Sequence, residues 1–373
     1  MDRRPTNNRV RYAVVGLGHI SQVAILPAFA NAPNSELFAL VSGDSQKLEK
    51  LGAKYKLSHL YSYADYGRAL SNVDAVYIAL PNHLHCDYAL RAAAAGVHVL
   101  CEKPMAVTRA DCVAMMKSCH RNRVKLMIAY RLHFEAGNLE AIEIANSGRL
   151  GELRIFTSEF SQQVADDNVR VTEPPSRGGG VLYDMGVYCI NASRYLFRAE
   201  PLEIAGFAAS NRDARFKRVE EMISVVMRFP GERLGTFTCS FGATDASRYT
   251  ILGTKGSVRA DPAYEYAEGI ELEISDGGKT TSKIFPKCDQ FAAELAYFSK
   301  CILQNEEPQP SGFEGVADIR IIEAIYESIR TKRPVPVLGT SVRKRPTPSQ
   351  MISRRAHGKP EVFHAKPASR EAA

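Results

Sequence analysis

Five short runs in the first third of the chain are apolar at consecutive positions: RYAVVG (11–16), LFALVS (37–42), DAVYIALP (74–81), HVLCEKP (98–104) and KLMIAY (125–130). Consecutive apolarity means that both faces of each strand meet a buried layer. The stretches between them, 20–31, 45–55, 83–95 and 108–122, carry helical patterning. Strand and helix therefore alternate. That order predicts a doubly wound parallel sheet with helices on both sides, a Rossmann-type α/β domain over residues 9–131.

A chain of 373 residues exceeds one ordinary core. From about residue 150 strand-like segments follow one another with short turns: LRIFTSEFSQ, LEIAGFAAS, MISVVMRFP, LGTFTCSFG, RYTILGT, GSVRA and GIELEIS. Successive strands joined by turn chemistry predict an α+β domain over residues 132–338, built on a large, mostly antiparallel open sheet. Helices are expected at 180–197, 289–304 and 313–330. Residues 339–373 are polar and proline-containing without periodicity, so they read as a disordered tail.

The formal charge of +7 is concentrated in that tail. Eight Lys and Arg residues (343, 344, 345, 354, 355, 359, 366 and 370) face Glu361 and Glu371 there, a net +6 that leaves about +1 for the body. Specific nucleic-acid binding is not expected from a nearly neutral body. No apolar run approaches a membrane span, and no apolar leader precedes the first strand, so a cytoplasmic location is expected. The eight cysteines stand singly without a CxxC pair, which predicts reduced core thiols and no metal site.

The turn after the first strand reads Gly16-Leu17-Gly18-His19-Ile20-Ser21. Its first glycine permits a tight turn. The second lets a pyrophosphate approach the backbone at a helix N-terminus. At the end of the second strand, an NAD site wants a carboxylate for the ribose 2′-hydroxyl. Ser42 stands there instead, followed by Gly43 and Lys47, which suit a 2′-phosphate. NADP is favoured over NAD, and Asp44 reads as the cap of the next helix. Leu80, Pro81, Asn82 and His85 follow the third strand at the same carboxyl edge. Glu102 and Lys103 end the fourth, ahead of Pro104, where a nicotinamide would lie in an open parallel sheet.

GLGHIS, LPNHLH, CEKPMA, AYRLHF and GGGVLYDMGVYCINASRYLF, in this order and spacing, resemble the Gfo/Idh/MocA oxidoreductases, and within them the glucose–fructose oxidoreductase type. The resemblance runs from about residue 10 to 338. It implies hydride transfer between NAD(P) and C1 of a sugar, with Lys103 at the reaction centre. It also implies an aspartate and a tyrosine one helical turn apart, here Asp184 and Tyr188. Tyr188 would take the hydroxyl proton, helped by Lys103, because a tyrosine of pKa ~10 is otherwise a poor base. Asp184 would orient a sugar hydroxyl or Lys103. Arg131 would contact cofactor or substrate, and Tyr266 would line the sugar pocket. The open sheet would join homodimers or homotetramers. The competing readings are an aldose or anhydro-sugar dehydrogenase that releases its cofactor each turnover, and a non-catalytic NADP sensor. Retention of Lys103, Asp184 and Tyr188 together opposes the sensor.

Overall fold

The computed structural model describes residues 8–337, 344–358, 360–367 and 369. They divide into two compact units, the first formed by residues 8–131, 289–316, 354–358 and 360–367, the second by the remaining described residues.

The first unit contains six parallel strands: β1 (Val10–Val15), β2 (Ser35–Val41), β3 (His59–Tyr61), β4 (Ala75–Ile78), β5 (His98–Glu102) and β6 (Leu126–Ala129). Their order across the sheet is β3-β2-β1-β4-β5-β6. The strand order reverses at β1, which sets a ligand crevice at the carboxyl ends of β1 and β4. β4 is buried at all four positions, as consecutive apolarity requires. β3 escapes sequence reading because it is three residues long and only half-buried. The helix Gln290–Leu303 also belongs to this unit, where Tyr12 and Ser35 both meet Ser299 through hydroxyl contacts of 2.8 and 2.7 Å. The sequence reading placed this helix in the second domain. Its apolar face fits either sheet, so the pattern carried no address.

The second unit holds β7 (Leu153–Ser161), β8 (Glu203–Ala209), β9 (Met222–Phe229), β10 (Arg233–Ser240), β11 (Ala246–Gly253), β12 (Gly256–Ala260), β13 (Ile270–Asp276), β14 (Lys279–Phe285) and β15 (Val335–Pro336). Their order is β14-β13-β12-β11-β7-β10-β9-β8-β15. Only the β7–β10 pair is parallel among these pairings. One face is packed by residues such as Phe156, Phe237 and Ile251, all at most 2 % exposed. The other presents Ile155, Phe207, Val226, Leu234 and Leu252 to solvent. Among the described residues no helix is long and apolar enough to cross a membrane.

Within the tail expected to be disordered, residues 344–358, 360–367 and 369 are described and make specific contacts; residues 339–343, 359, 368 and 370–373 lie outside the described set. Arg345 pairs with Glu200, which also holds the fully buried Arg194 at 2.7 Å. The Ile352 amide donates to the Phe134 carbonyl at 3.3 Å, and Ser369 pairs with Val164 as an isolated bridge. The segment attaches by single side chains and backbone pairs rather than by an apolar face. No periodicity is required for that, and none exists.

Candidate functional site

Gly16 lies at φ +93°, and a Cβ there would stand 2.3 Å from the Ala79 carbonyl oxygen. The close approach of the β1 and β4 turns thus requires glycine. Gly18 is exposed with open space at its Cβ position, and the helix begins at the next residue. Such a turn leaves room for a pyrophosphate over first-turn amides. The serine at the motif's third position is buried, and its Oγ donates to the Gly16 carbonyl at 2.7 Å. Ser21 therefore ties the helix to the turn, a bond that glycine could not make. Gly16→Ala is expected to abolish dinucleotide binding and lower Tm, because backbone must move at a left-handed φ. Unchanged cofactor fluorescence titration and calorimetry would remove this turn from the site.

At the end of β2 the Asp44 carboxylate accepts from the Lys47 amide at 2.9 Å, capping the helix Ser45–Tyr55. That hydrogen bond leads the causes that hold Asp44 below the ordinary carboxylate range. Ser42 is buried, and its Oγ accepts from the Asp44 amide at 3.2 Å. Its hydroxyl shapes the loop, leaving exposed Gly43 and half-exposed Lys47 as the surface a phosphate would meet.

Two turns lie at the ends of β4 and β5. His85 is fully buried, with Nε2 2.8 Å from the Leu80 carbonyl and Nδ1 2.9 Å from the Pro104 carbonyl. Burial pushes its pKa down. Buried between the two carbonyls and able to donate to one of them, His85 braces the two turns and is not the cofactor contact its position predicts. Pro81 and Asn82 remain half-exposed beside it, with Leu80 buried beneath, and His19 and Ile20 are half-exposed at the helix start. Glu102 accepts from the Tyr77 hydroxyl at 2.8 Å. Burial raises the Glu102 pKa, and the charge of Lys103 opposes that rise. Lys103 is half-exposed at the strand end.

Arg131 departs from its expected role. It is 6 % exposed, and its guanidinium bonds to Gln290. Its charge lowers the pKa of both Glu102 and Glu294. Glu294 is fully buried and raised well above the usual range by burial and then by Glu102. Arg131 thus stabilises the acids behind Lys103 rather than facing a ligand. Gln290 and Glu294 went unrecognised because they sit on a helix assigned to the other domain.

In the second unit, residues 181–190 form the start of a helix in which only Asp184 and Tyr188 are not buried. A π-type turn at Leu182–Gly186 leads into the helix Val187–Phe197. Asp184 pairs with Arg170 at 2.6 Å, a partner that no sequence spacing marks. The Tyr188 ring packs edge-on against Phe160 at 5.5 Å and lies 5.9 Å from the buried Tyr264. Tyr266 is half-exposed two residues beyond Tyr264.

Residues 10–130 match the family model described as an oxidoreductase family with NAD-binding Rossmann fold, and residues 138–259 match a GFO/IDH/MocA C-terminal domain. The chain is 32 % identical to a D-xylose 1-dehydrogenase [NADP(+)] of Haloarcula marismortui, over 90 % of this chain and 95 % of that protein. It is 29 % identical to a D-xylose 1-dehydrogenase (NADP(+)) 2 of Haloferax volcanii, over 86 % and 97 %. Among solved structures, the aldose-aldose oxidoreductase of Caulobacter crescentus superposes with a TM-score of 0.84 at 38 % identity, covering 88 % of this chain and 99 % of that one.

Proposed function

Because this chain belongs to the Gfo/Idh/MocA oxidoreductase family, we propose that it is an NADP-dependent sugar oxidoreductase transferring a hydride between the nicotinamide and C1 of an aldose. The observation that carries the reading is the pair Asp184 and Tyr188, the two residues that reach the surface from an otherwise buried helical stretch. The names of the xylose dehydrogenases and of the aldose-aldose oxidoreductase support the substrate class.

The open space at Gly18, and a serine rather than a carboxylate as the first residue after β2, fit a dinucleotide bearing a 2′-phosphate. Gly16 and Gly18 would receive the pyrophosphate, with His19 and Ile20 in the first helical turn. Gly43 and Lys47 would receive the 2′-phosphate, and Leu80, Pro81 and Asn82 would flank the nicotinamide half. When bound, NADP supplies the hydride acceptor. The protein's own work is to move one proton and hold the sugar. Tyr188 accepts the proton of the C1 hydroxyl, Lys103 favours the deprotonated oxygen, and Asp184 holds a neighbouring sugar hydroxyl. Arg170 fixes the Asp184 carboxylate, and Tyr266 contributes to the sugar pocket.

A panel of aldoses and anhydro-sugars with and without added NADP tests this reading. Aldose-dependent reduction of NADP is expected; inertness toward every sugar would defeat it. A second reading, a dehydrogenase that releases its cofactor each turnover, is favoured by the dehydrogenase names of the relatives. Nicotinamide absorbance in the purified protein would oppose it.

We also propose that the apolar open face of the second sheet joins copies of this chain. Phe207 is 79 % exposed, with Ile155, Val226 and Leu234 near 45 % on neighbouring strands. Apolar side chains held exposed on four neighbouring strands, among polar residues such as Ser224 and Thr236, suit an interface. Phe207→Lys combined with Val226→Lys is expected to convert an oligomer into monomers by light scattering. A wild-type monomer, or an unchanged mass in the variant, would refute it.

A further inference from the structure

We infer that residues 361–366 belong to the dinucleotide site, as a strap whose His364 offsets the charge of Asp44 so that a 2′-phosphate is accepted. The inference deepens the NADP reading above and rests on it.

The strap is fastened to the cofactor elements themselves. Gln22, buried in the helix that follows the glycine turn, donates to the Phe363 carbonyl at 2.8 Å and accepts from the Phe363 amide at 2.8 Å. Gln22 Nε2 also donates to the Leu17 carbonyl at 3.0 Å, so one side chain joins the glycine turn to the strap. Lys54 donates to the Glu361 carbonyl at 3.2 Å, and the Lys50 ammonium stands 4.3 Å from the Phe363 ring centre. Further back, the Asp289 amide donates to the Arg354 carbonyl at 2.9 Å, and Asn31 to that of Arg355 at 3.0 Å.

These contacts deliver His364 to the end of β2. Its ring stacks on Phe363 at 3.8 Å, and Nδ1 lies 3.2 Å from Asp44 Oδ2. Asp44 is the one acid in the loop from Ser42 to Lys47. It serves as the helix cap through Oδ1, yet its charge repels a phosphate at that loop. His364 donates to the other oxygen and draws part of that charge away from the loop. The cap is kept and the repulsion reduced. Both side chains are partly exposed, at 47 % and 35 %, so the effect is modest and salt-dependent.

The test is a double-mutant cycle on the full chain, using His364→Ala, Asp44→Asn and their combination. Asparagine caps helices as well as aspartate does, so the second change keeps the cap while removing the charge together with the oxygen that His364 meets. Kd values for NADPH and NADH are read by cofactor fluorescence at low and high salt, with Tm for each variant. His364→Ala is expected to weaken NADPH about two- to fivefold at low salt, the size of one exposed ion pair, and to leave NADH unchanged. In the Asp44→Asn background, and at high salt, the loss should vanish. Equal weakening of both coenzymes, or a loss that survives in the Asp44→Asn background, would reduce the strap to a brace for the fold. No loss at all would also overturn the inference while leaving the NADP reading intact. A wild-type protein without preference for NADPH would overturn the NADP reading, and the strap with it.

Discussion

Lys103→Met is expected to remove most turnover while leaving NADP affinity within about twofold, with the loss falling in the ~10²–10⁴ range of a lost proton-transfer partner. The separation follows from position. The groups suited to the pyrophosphate and the 2′-phosphate lie at the ends of β1 and β2, whereas Lys103 stands at the end of β5. Methionine keeps most of the apolar stem and removes the ammonium. Glu102 would lose the charge that counters its burial, so its pKa should rise further and Tyr77 should remain its hydroxyl partner. Tm must be measured alongside, because a buried acid deprived of its counter-charge destabilises. The discriminating measurement is single-turnover hydride transfer from an aldose with NADP bound. A rate near that of the wild type would mean that Glu102-Lys103-Pro104 is a structural turn alone.

Five strands of the first sheet were legible because burial on both faces leaves a mark that needs no long-range information. Alternation did the same for most of the second sheet, as in β9, whose side chains alternate between buried and exposed. β14 left no such mark, being exposed at six of its seven positions. The helix Ala136–Asn146 was missed for a related reason. Its cap is Glu135, which accepts from the Gly137 and Asn138 amides at 2.7 Å each, where sequence reading looks for a shorter side chain. At the site, residue type was readable and partnership was not. The positions of His85 and Arg131 predict ligand contacts, but whether a polar side chain meets a ligand or a carbonyl depends on neighbours remote in sequence. The same holds for Arg170 beside Asp184 and for His364 beside Asp44, some 320 residues away. Such pairs follow no spacing rule, so only the folded chain reveals them.

Tyr188→Phe should be as damaging as the loss of Lys103, and for a reason that the pair together makes testable. The ring's packing on Phe160 and Tyr264 survives the change, since phenylalanine keeps the ring and gives up only the hydroxyl. Tm should therefore move little, and a fall in kcat of ~10²–10⁴ would report the missing oxygen. If Tyr188 and Lys103 serve one and the same proton transfer, either single change disables the same step. The Lys103→Met, Tyr188→Phe double variant should then be scarcely slower than the worse single variant, because groups acting as a unit are non-additive. Two independent roles would instead multiply, giving a double variant slower by the product of the two losses. Asp184→Asn separates binding from proton transfer. Its carboxylate is held at 2.6 Å by Arg170, and removing the charge loosens that hold. The expected signature is a raised KM for the aldose with kcat reduced far less than in Tyr188→Phe. A Tyr188→Phe enzyme that keeps wild-type kcat would return Tyr188 to the role of a packing residue and leave the proton without an acceptor.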